Sequence, residues 1–228
     1  MKHRSLALLA AATIASPAAF ADDHRTSVML WGSALEGTLA VGGGSVDIDM
    51  SLEDILNVLD GSIALRHESR GATRGWYAEF IFNDLKQSAT GALGERQANL
   101  EQTLFEIGMS QAIADEWEVY GGARWETLDS SIDFAVLPSV GASVDWADAV
   151  LGLRWQRESA TSRWWLRGDV AGGGSDGAFL LEAGGAWRFD DGWGISLAWR
   201  ALDTSYEDGA VRLDLLQNGA VIGVSKDW

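Results

Sequence analysis

Trp117-Glu118-Val119-Tyr120-Gly121-Gly122-Ala123-Arg124-Trp125-Glu126 is the stretch that decides the fold. In an extended chain Trp117, Val119, Gly121, Ala123 and Trp125 share one face, while Glu118, Tyr120, Gly122, Arg124 and Glu126 share the other. A period of two with one apolar and one polar side predicts a β-strand lying between two different media. The split recurs on both sides of this segment. Upstream, Trp76, Ala78, Phe80 and Phe82 oppose Tyr77, Glu79 and Asn83, and Thr103, Phe105, Ile107 and Met109 oppose Gln102, Glu106 and Ser110. Downstream, Ala147, Ala149, Leu151, Leu153 and Trp155 oppose Asp148, Gly152, Arg154 and Gln156, and Trp164, Leu166, Gly168 and Val170 oppose Arg167 and Asp169. Phe179, Leu181, Ala183, Trp187 and Phe189 oppose Glu182, Gly184 and Arg188, and Trp193, Ile195, Leu197 and Trp199 oppose Ser196 and Arg200.

Short turn signals at 71–74, 114–116, 159–162 and 190–192 alternate with longer polar connections at 43–60, 85–96, 128–145, 172–177 and 204–212. Tight turns at one end and long loops at the other are the anatomy of a bacterial outer-membrane barrel. The spacing predicts an all-β protein: one antiparallel, up-and-down transmembrane β-barrel of ten strands, or eight if one hairpin lies outside the membrane. Leu52, Ile55, Leu56 and Leu59 recur at helical spacing behind Ser51 and Asp54, so a short helix is expected in the first long loop. Asn218-Gly219 interrupts the face register of the last strand, which predicts a bulge there.

Lys2, His3 and Arg4, an apolar run from Leu6 to Ala15, and Ala19-Phe20-Ala21 before Asp22 have the three-part layout of a secretory signal. The expected organisation is therefore a signal peptide over 1–21 and an outer-membrane barrel domain over 22–228, exported through the Sec pathway. Removing 1–21 takes Lys2 and Arg4 from the 17 basic residues and no acid from the 33, which leaves a balance of −18. Such a chain is not expected to bind nucleic acid, which needs basic surface, nor to use a polybasic patch on anionic lipid. Cysteine is absent, so neither disulfides nor thiolate metal sites arise. No segment offers the apolar length of a membrane-spanning helix.

Twelve tryptophans and 27 glycines accompany two prolines. Trp76, Trp117, Trp155, Trp164, Trp187, Trp193 and Trp228 all lie near a short turn or the C-terminus, so they are expected to form one ring at the periplasmic membrane interface. The strand carrying Ala220, Ile222 and Val224 and ending on Trp228 resembles the C-terminal signal read by the outer-membrane assembly machinery.

Trp165-Leu166-Arg167-Gly168-Asp169-Val170-Ala171-Gly172-Gly173-Gly174-Ser175-Asp176 resembles a motif in a large group of Gram-negative outer-membrane β-barrel proteins. That group is loosely related to the OmpA-like and OmpW-like small barrels. Val46-Asp47-Ile48-Asp49 leading into Leu52-Glu53-Asp54-Ile55-Leu56, and Gly122-Ala123-Arg124-Trp125, are similar to it as well. The resemblance implies fold and location, and it carries no catalytic residues to transfer.

The inward positions hold Glu79, Glu106, Glu118, Arg124, Glu126, Asp148, Arg154, Arg167, Asp169, Glu182, Arg188 and Arg200. Charges of both signs on neighbouring strands predict either a salt-bridged plug or the lining of a narrow pore, centred on Arg167 and Asp169. Asp47, Asp49, Glu53, Asp54, Asp60, Asp129, Asp133, Asp145, Glu207 and Asp208 crowd the loops, where they keep the surface soluble or share divalent cations with lipopolysaccharide. No spacing specifies a metal site, and no cofactor is expected. His67-Glu68-Ser69 has the residue types of a hydrolytic triad, but neighbours on a strand point to opposite faces and cannot converge. The expectation is a non-enzymatic, monomeric barrel whose partners are outer-membrane lipid, lipopolysaccharide and, during biogenesis, the barrel-assembly machinery. A narrow solute channel stands as the alternative, and a membrane-embedded hydrolase as a distant third.

Overall fold

The computed structural model describes residues 23–41, 44–50, 62–91, 94–134, 140–209 and 211–228. They form β1 (Asp23–Val41), β2 (Gly44–Met50), β3 (Ser62–Arg70), β4 (Arg74–Gly91), β5 (Gly94–Ala114), β6 (Trp117–Phe134), β7 (Val140–Glu158), β8 (Ser162–Gly172), β9 (Gly177–Arg188), β10 (Trp193–Asp208) and β11 (Val211–Asp227). Every neighbour is antiparallel, and β11 pairs with β1 to close the sheet. β2 pairs with Leu35–Val41 and β3 with Asp23–Leu30, so the two sit end to end at one position of a ten-position wall. The expected closed ten-stranded barrel is what the chain forms.

Its tilt follows from the register. Stepping from partner to partner leads from Arg25 through Glu68, Tyr77, Gly108, Gly122, Val150, Ala171, Ala178, Thr204 and Leu215 to Gly37. The walk returns to β1 twelve residues beyond its start, 37 less 25. Ten strands with that stagger tilt by about 40° from the barrel axis.

Two expectations are corrected. The connections expected at 85–96, 128–145 and 204–212 are largely strand: β4 runs to Gly91, β5 starts at Gly94, β6 reaches Phe134, and β10 and β11 approach within a few residues. Those segments are polar because they pass above the apolar part of the wall, not because they lack pairing. The expected bulge at Asn218-Gly219 is absent, since β11 keeps its register with both neighbours through that point. Gly219 is there because a Cβ would collide with the carbonyl oxygen of Gly32. The one register shift among the described residues falls instead at Ala112/Ala114. The expected helix at 52–59 lies outside the described residues.

Outside, every wall position presents apolar surface. Leu30, Leu65, Phe80, Ile107, Trp125, Leu151, Leu166, Leu181, Leu197 and Ile222 come one from each, all at least 40% exposed. A continuous apolar circumference of this kind is foreign to water-soluble monomers. Trp76, Trp117, Trp155, Trp164, Trp187, Trp193 and Trp228 all fall at the short-turn end, most of them exposed. Trp155, half-buried, donates to Glu116 Oε2 at 2.8 Å.

Candidate functional site

From the turn end upward, the inward side chains fill the lumen in layers. At the base, Glu68 accepts from Arg66 (3.0 Å), Arg70 (3.4 Å), Arg154 (2.6 Å) and Arg163 (3.4 Å). Arg154 also reaches Glu118 at 2.5 Å. Arg25 and Arg188 share Asp227, at 2.5 and 3.0 Å, and close the rim.

Above lies the central layer. Glu79 accepts from three guanidinium groups, Arg66 at 2.6 Å, Arg167 at 3.0 Å and Arg200 at 2.6 Å. Glu182 holds Arg200 at 2.6 Å, Arg167 at 3.3 Å and the indole of Trp165 at 2.7 Å. Arg124 donates to Glu106 (2.6 Å) and Asp169 (2.8 Å), and Tyr120 donates to the other oxygen of Asp169 at 2.8 Å. Four arginines therefore meet four carboxylates, all buried. A buried charge persists only when it is paired and its remaining valences are satisfied, and this balance supplies the pairing. Tyr77 adds a ring 4.7 Å below the Arg66 guanidinium, and Trp31 lies 5.4 Å from that of Arg200.

Amides take over higher up. Ser62 donates to Asn83 (2.5 Å), Asn83 and Gln217 both donate to Gln102 (2.8 and 2.6 Å), and Gln102 donates to Glu126 (2.5 Å). The top layer is apolar: Leu35, Leu100, Leu128, Trp146, Tyr206, Leu213 and Leu215 meet across the lumen, with Trp146 and Tyr206 stacked at 4.7 Å. The cavity among Arg66, Glu68, Arg154, Arg167, Glu182 and Arg200 measures about 40 Å³, room for a few water molecules.

The structure sorts the inward residues expected from the sequence. Glu79, Glu106, Arg124, Arg167, Asp169, Glu182 and Arg200 come together in the central layer. Arg167 and Asp169 are both central but bind different partners. Arg154 and Glu118 belong to the base, and Arg188 sits at its rim, 31% exposed. Glu126 joins the amide layer. Asp148 does something else: it accepts from the N–H groups of Gly174 (2.9 Å) and Ser175 (2.8 Å) and from the Ser175 hydroxyl (2.7 Å), pinning the β8–β9 connection. Arg66, Glu68, Arg70 and Arg163 were not anticipated. Their signal was present, because Arg66, Glu68 and Arg70 alternate with Ile63, Leu65 and His67.

His67 and Glu68 diverge as expected. His67 faces outward against His24, Trp76 and Trp228, with its Nδ1 3.0 Å from Thr26 Oγ1. Among the described residues no cluster of metal-ligating side chains occurs. Of the expected acidic loop residues, Glu53, Asp54 and Asp60 lie outside the described residues, Asp129 and Asp145 stand exposed on β6 and β7, and Glu207 and Asp208 are exposed at the end of β10.

No protein-family model matches the sequence, and no curated protein sequence matches it. The fold is similar to that of the outer-membrane protease OmpT from Escherichia coli, with a TM-score of 0.58 at 9% identity over 91% of this chain and 97% of that one. The attachment invasion locus protein Ail of Yersinia pestis gives a TM-score of 0.40 at 10% identity over 88% and 97%. The translocator domain of the autotransporter NalP from Neisseria meningitidis gives 0.41 at 13% identity over 90% and 88%. These structural neighbours are Gram-negative outer-membrane β-barrels, and none of them bears on OmpA-like or OmpW-like kinship. At such identity the likeness to OmpT speaks for the architecture alone.

Proposed function

We propose that this chain is an integral outer-membrane β-barrel with a structural or surface-interaction role, its lumen sealed by its own side chains. The apolar circumference and the tryptophans gathered at the turn end support insertion in a bilayer, where indoles favour the interface. The observation that carries the sealed reading is the layering: two charge-paired layers, an amide layer and an apolar layer lie in series across the lumen. An ion would have to break each in turn. The role is read as non-enzymatic, because His24 and His67 both sit at the turn end, outside the lumen, and the central carboxylates are each held by arginine. Its partners on this reading are outer-membrane lipid and lipopolysaccharide, with the barrel-assembly machinery during biogenesis, and the barrel is a monomer exported by the Sec route.

Two measurements test the proposal. The folded protein, run unboiled beside a boiled sample, is expected to show altered mobility and to fractionate with the outer membrane. In planar bilayers it is expected to give no steady conductance. Reproducible single-channel steps from the wild-type barrel would replace the sealed reading with a narrow channel.

A further inference from the structure

The wall is not of even height. β8 ends at Gly172 and β9 begins at Gly177, whereas β7 continues from Ala149, the partner of Gly172, up to Val140. Those nine residues rise roughly 20 Å along the axis beyond the top of β8. On its other side β7 stays paired to β6 as far as Val140↔Ile132. Among the described residues nothing pairs with the opposite edge, so a notch opens there with β10 on its far side.

The direction of the free backbone groups is fixed. A Cβ on Gly174 would lie 2.7 Å from the oxygen and 2.8 Å from the nitrogen of Ala147, so Ala147 turns both groups toward β8. The pleat repeats every two residues, and Gly141, Ser143 and Asp145 therefore aim theirs into the notch as well. The natural guards of a free edge are lysine, proline and bulges. Gly141-Ala142-Ser143-Val144 carries none of them.

The surroundings are acidic. Asp145 on β7, Asp176 in the β8–β9 connection, and Glu207 and Asp208 at the end of β10 are all exposed, and the Asp176 N–H donates to the Ser205 carbonyl on β10 at 3.0 Å. Arg212, cross-strand from Glu207, is taken up by Asp214 at 3.2 Å. The stacked Trp146 and Tyr206 bridge β7 and β10 and form the floor.

We propose that the upper edge of β7, from Gly141 to Asp145, is a strand-addition site for an extended, basic segment of another polypeptide. Main-chain hydrogen bonds to the free edge supply affinity, as in other cases of β-augmentation, and the carboxylates select for lysine or arginine on the incoming strand. The proposal concerns the rim and is independent of whether the lumen conducts.

The test uses the folded full-length barrel in detergent micelles and a fluorescent eight-residue peptide in which lysine alternates with threonine and valine. Fluorescence anisotropy is expected to report saturable binding that weakens with salt. A peptide with glutamate in place of lysine, and one N-methylated on alternate backbone amides, are expected not to bind. Ser143→Pro removes a notch-facing N–H and leaves the β6 ladder intact, so this variant should fold, with unchanged heat-modifiability, yet bind at least about tenfold more weakly. Asp145→Asn should weaken binding and flatten its salt dependence while sparing the fold. Equal binding by wild type and Ser143→Pro, or equal binding of the N-methylated peptide, would overturn the proposal. So would a stable dimer of the peptide-free protein that Ser143→Pro dissolves, because the edge would then belong to a second copy. Absence of binding at millimolar peptide would overturn it too.

Discussion

Glu79 shows how much one side chain carries in this interior. Three arginines from β3, β8 and β10 converge on it, so it ties together strands that are not neighbours in the wall. Glu79→Ala leaves Arg66, Arg167 and Arg200 with Glu182 and Glu68 as remaining partners. Breaking a buried pair from one side costs about 3–5 kcal/mol, and that loss is expected in the denaturant midpoint of the refolded barrel. Glu79→Gln keeps the shape and some hydrogen bonds and should lose less. Gly219 makes a second prediction, at the backbone. With the Gly32 carbonyl in the space its Cβ would need, Gly219→Ala should prevent the β1–β11 seam from forming, read as loss of the heat-modifiable band. At this scale the sequence was only partly legible. The inward placement of Arg124 and Asp169 could be read from period two, but their pairing could not, because it joins β6 to β8 across β7. Register and barrel stagger decide which charges meet, and neither is written in any local pattern.

β5 explains why the expected loops were strands. Its inward residues run Ser110, Glu106, Leu104, Gln102 and Leu100, while its outward residues run Met109, Ile107, Phe105, Thr103 and Glu101. Low on the strand the outside is apolar and the inside polar; at the top the relation is reversed. β6 does the same, with Trp125 outside and Arg124 inside giving way to Asp129 outside and Leu128 inside. Alternation persists, but its phase inverts where the surrounding medium changes, and a reading tuned to one phase sees only polar connection. The turns at the other end were legible because no such inversion occurs there. The β8–β9 connection yields the prediction proper to this scale. Asp148→Ala removes three hydrogen bonds that hold Gly174 and Ser175, so amide exchange over 173–176 should accelerate, with a stability cost of about 1–3 kcal/mol. An unchanged exchange rate there would mean the loop is held by something other than Asp148.

The layered lumen predicts redundancy for the barrel as a whole. Trp146→Ala opens a cavity in the apolar layer and should cost about 3–5 kcal/mol, yet the bilayer trace should stay silent because two charge-paired layers still lie below. Conductance from this single variant would show that the apolar layer alone forms the seal. The fold class was legible from the repeated alternation and the one-ended tryptophans, since both follow from a wall with lipid on one side. The uneven rim was not: nothing in Gly172-Gly173-Gly174 says that its neighbours will continue upward while β8 stops.

The β1–β11 seam also sets an order of events. Every other pairing in the closed wall joins strands adjacent in the chain or, for β1 and β3, separated only by β2, whereas Arg25 meets Asp227 across 202 residues. The hairpins can zip up as they emerge, but closure must wait for the last strand to arrive. Contacts of such long range are slow to form, and an unfinished wall offers sticky edges to its neighbours throughout the delay. For as long as delivery is incomplete, the two ends of the sheet must be kept apart from everything except each other, and the seventeen residues of β11, from Val211 to Asp227, act as the clock.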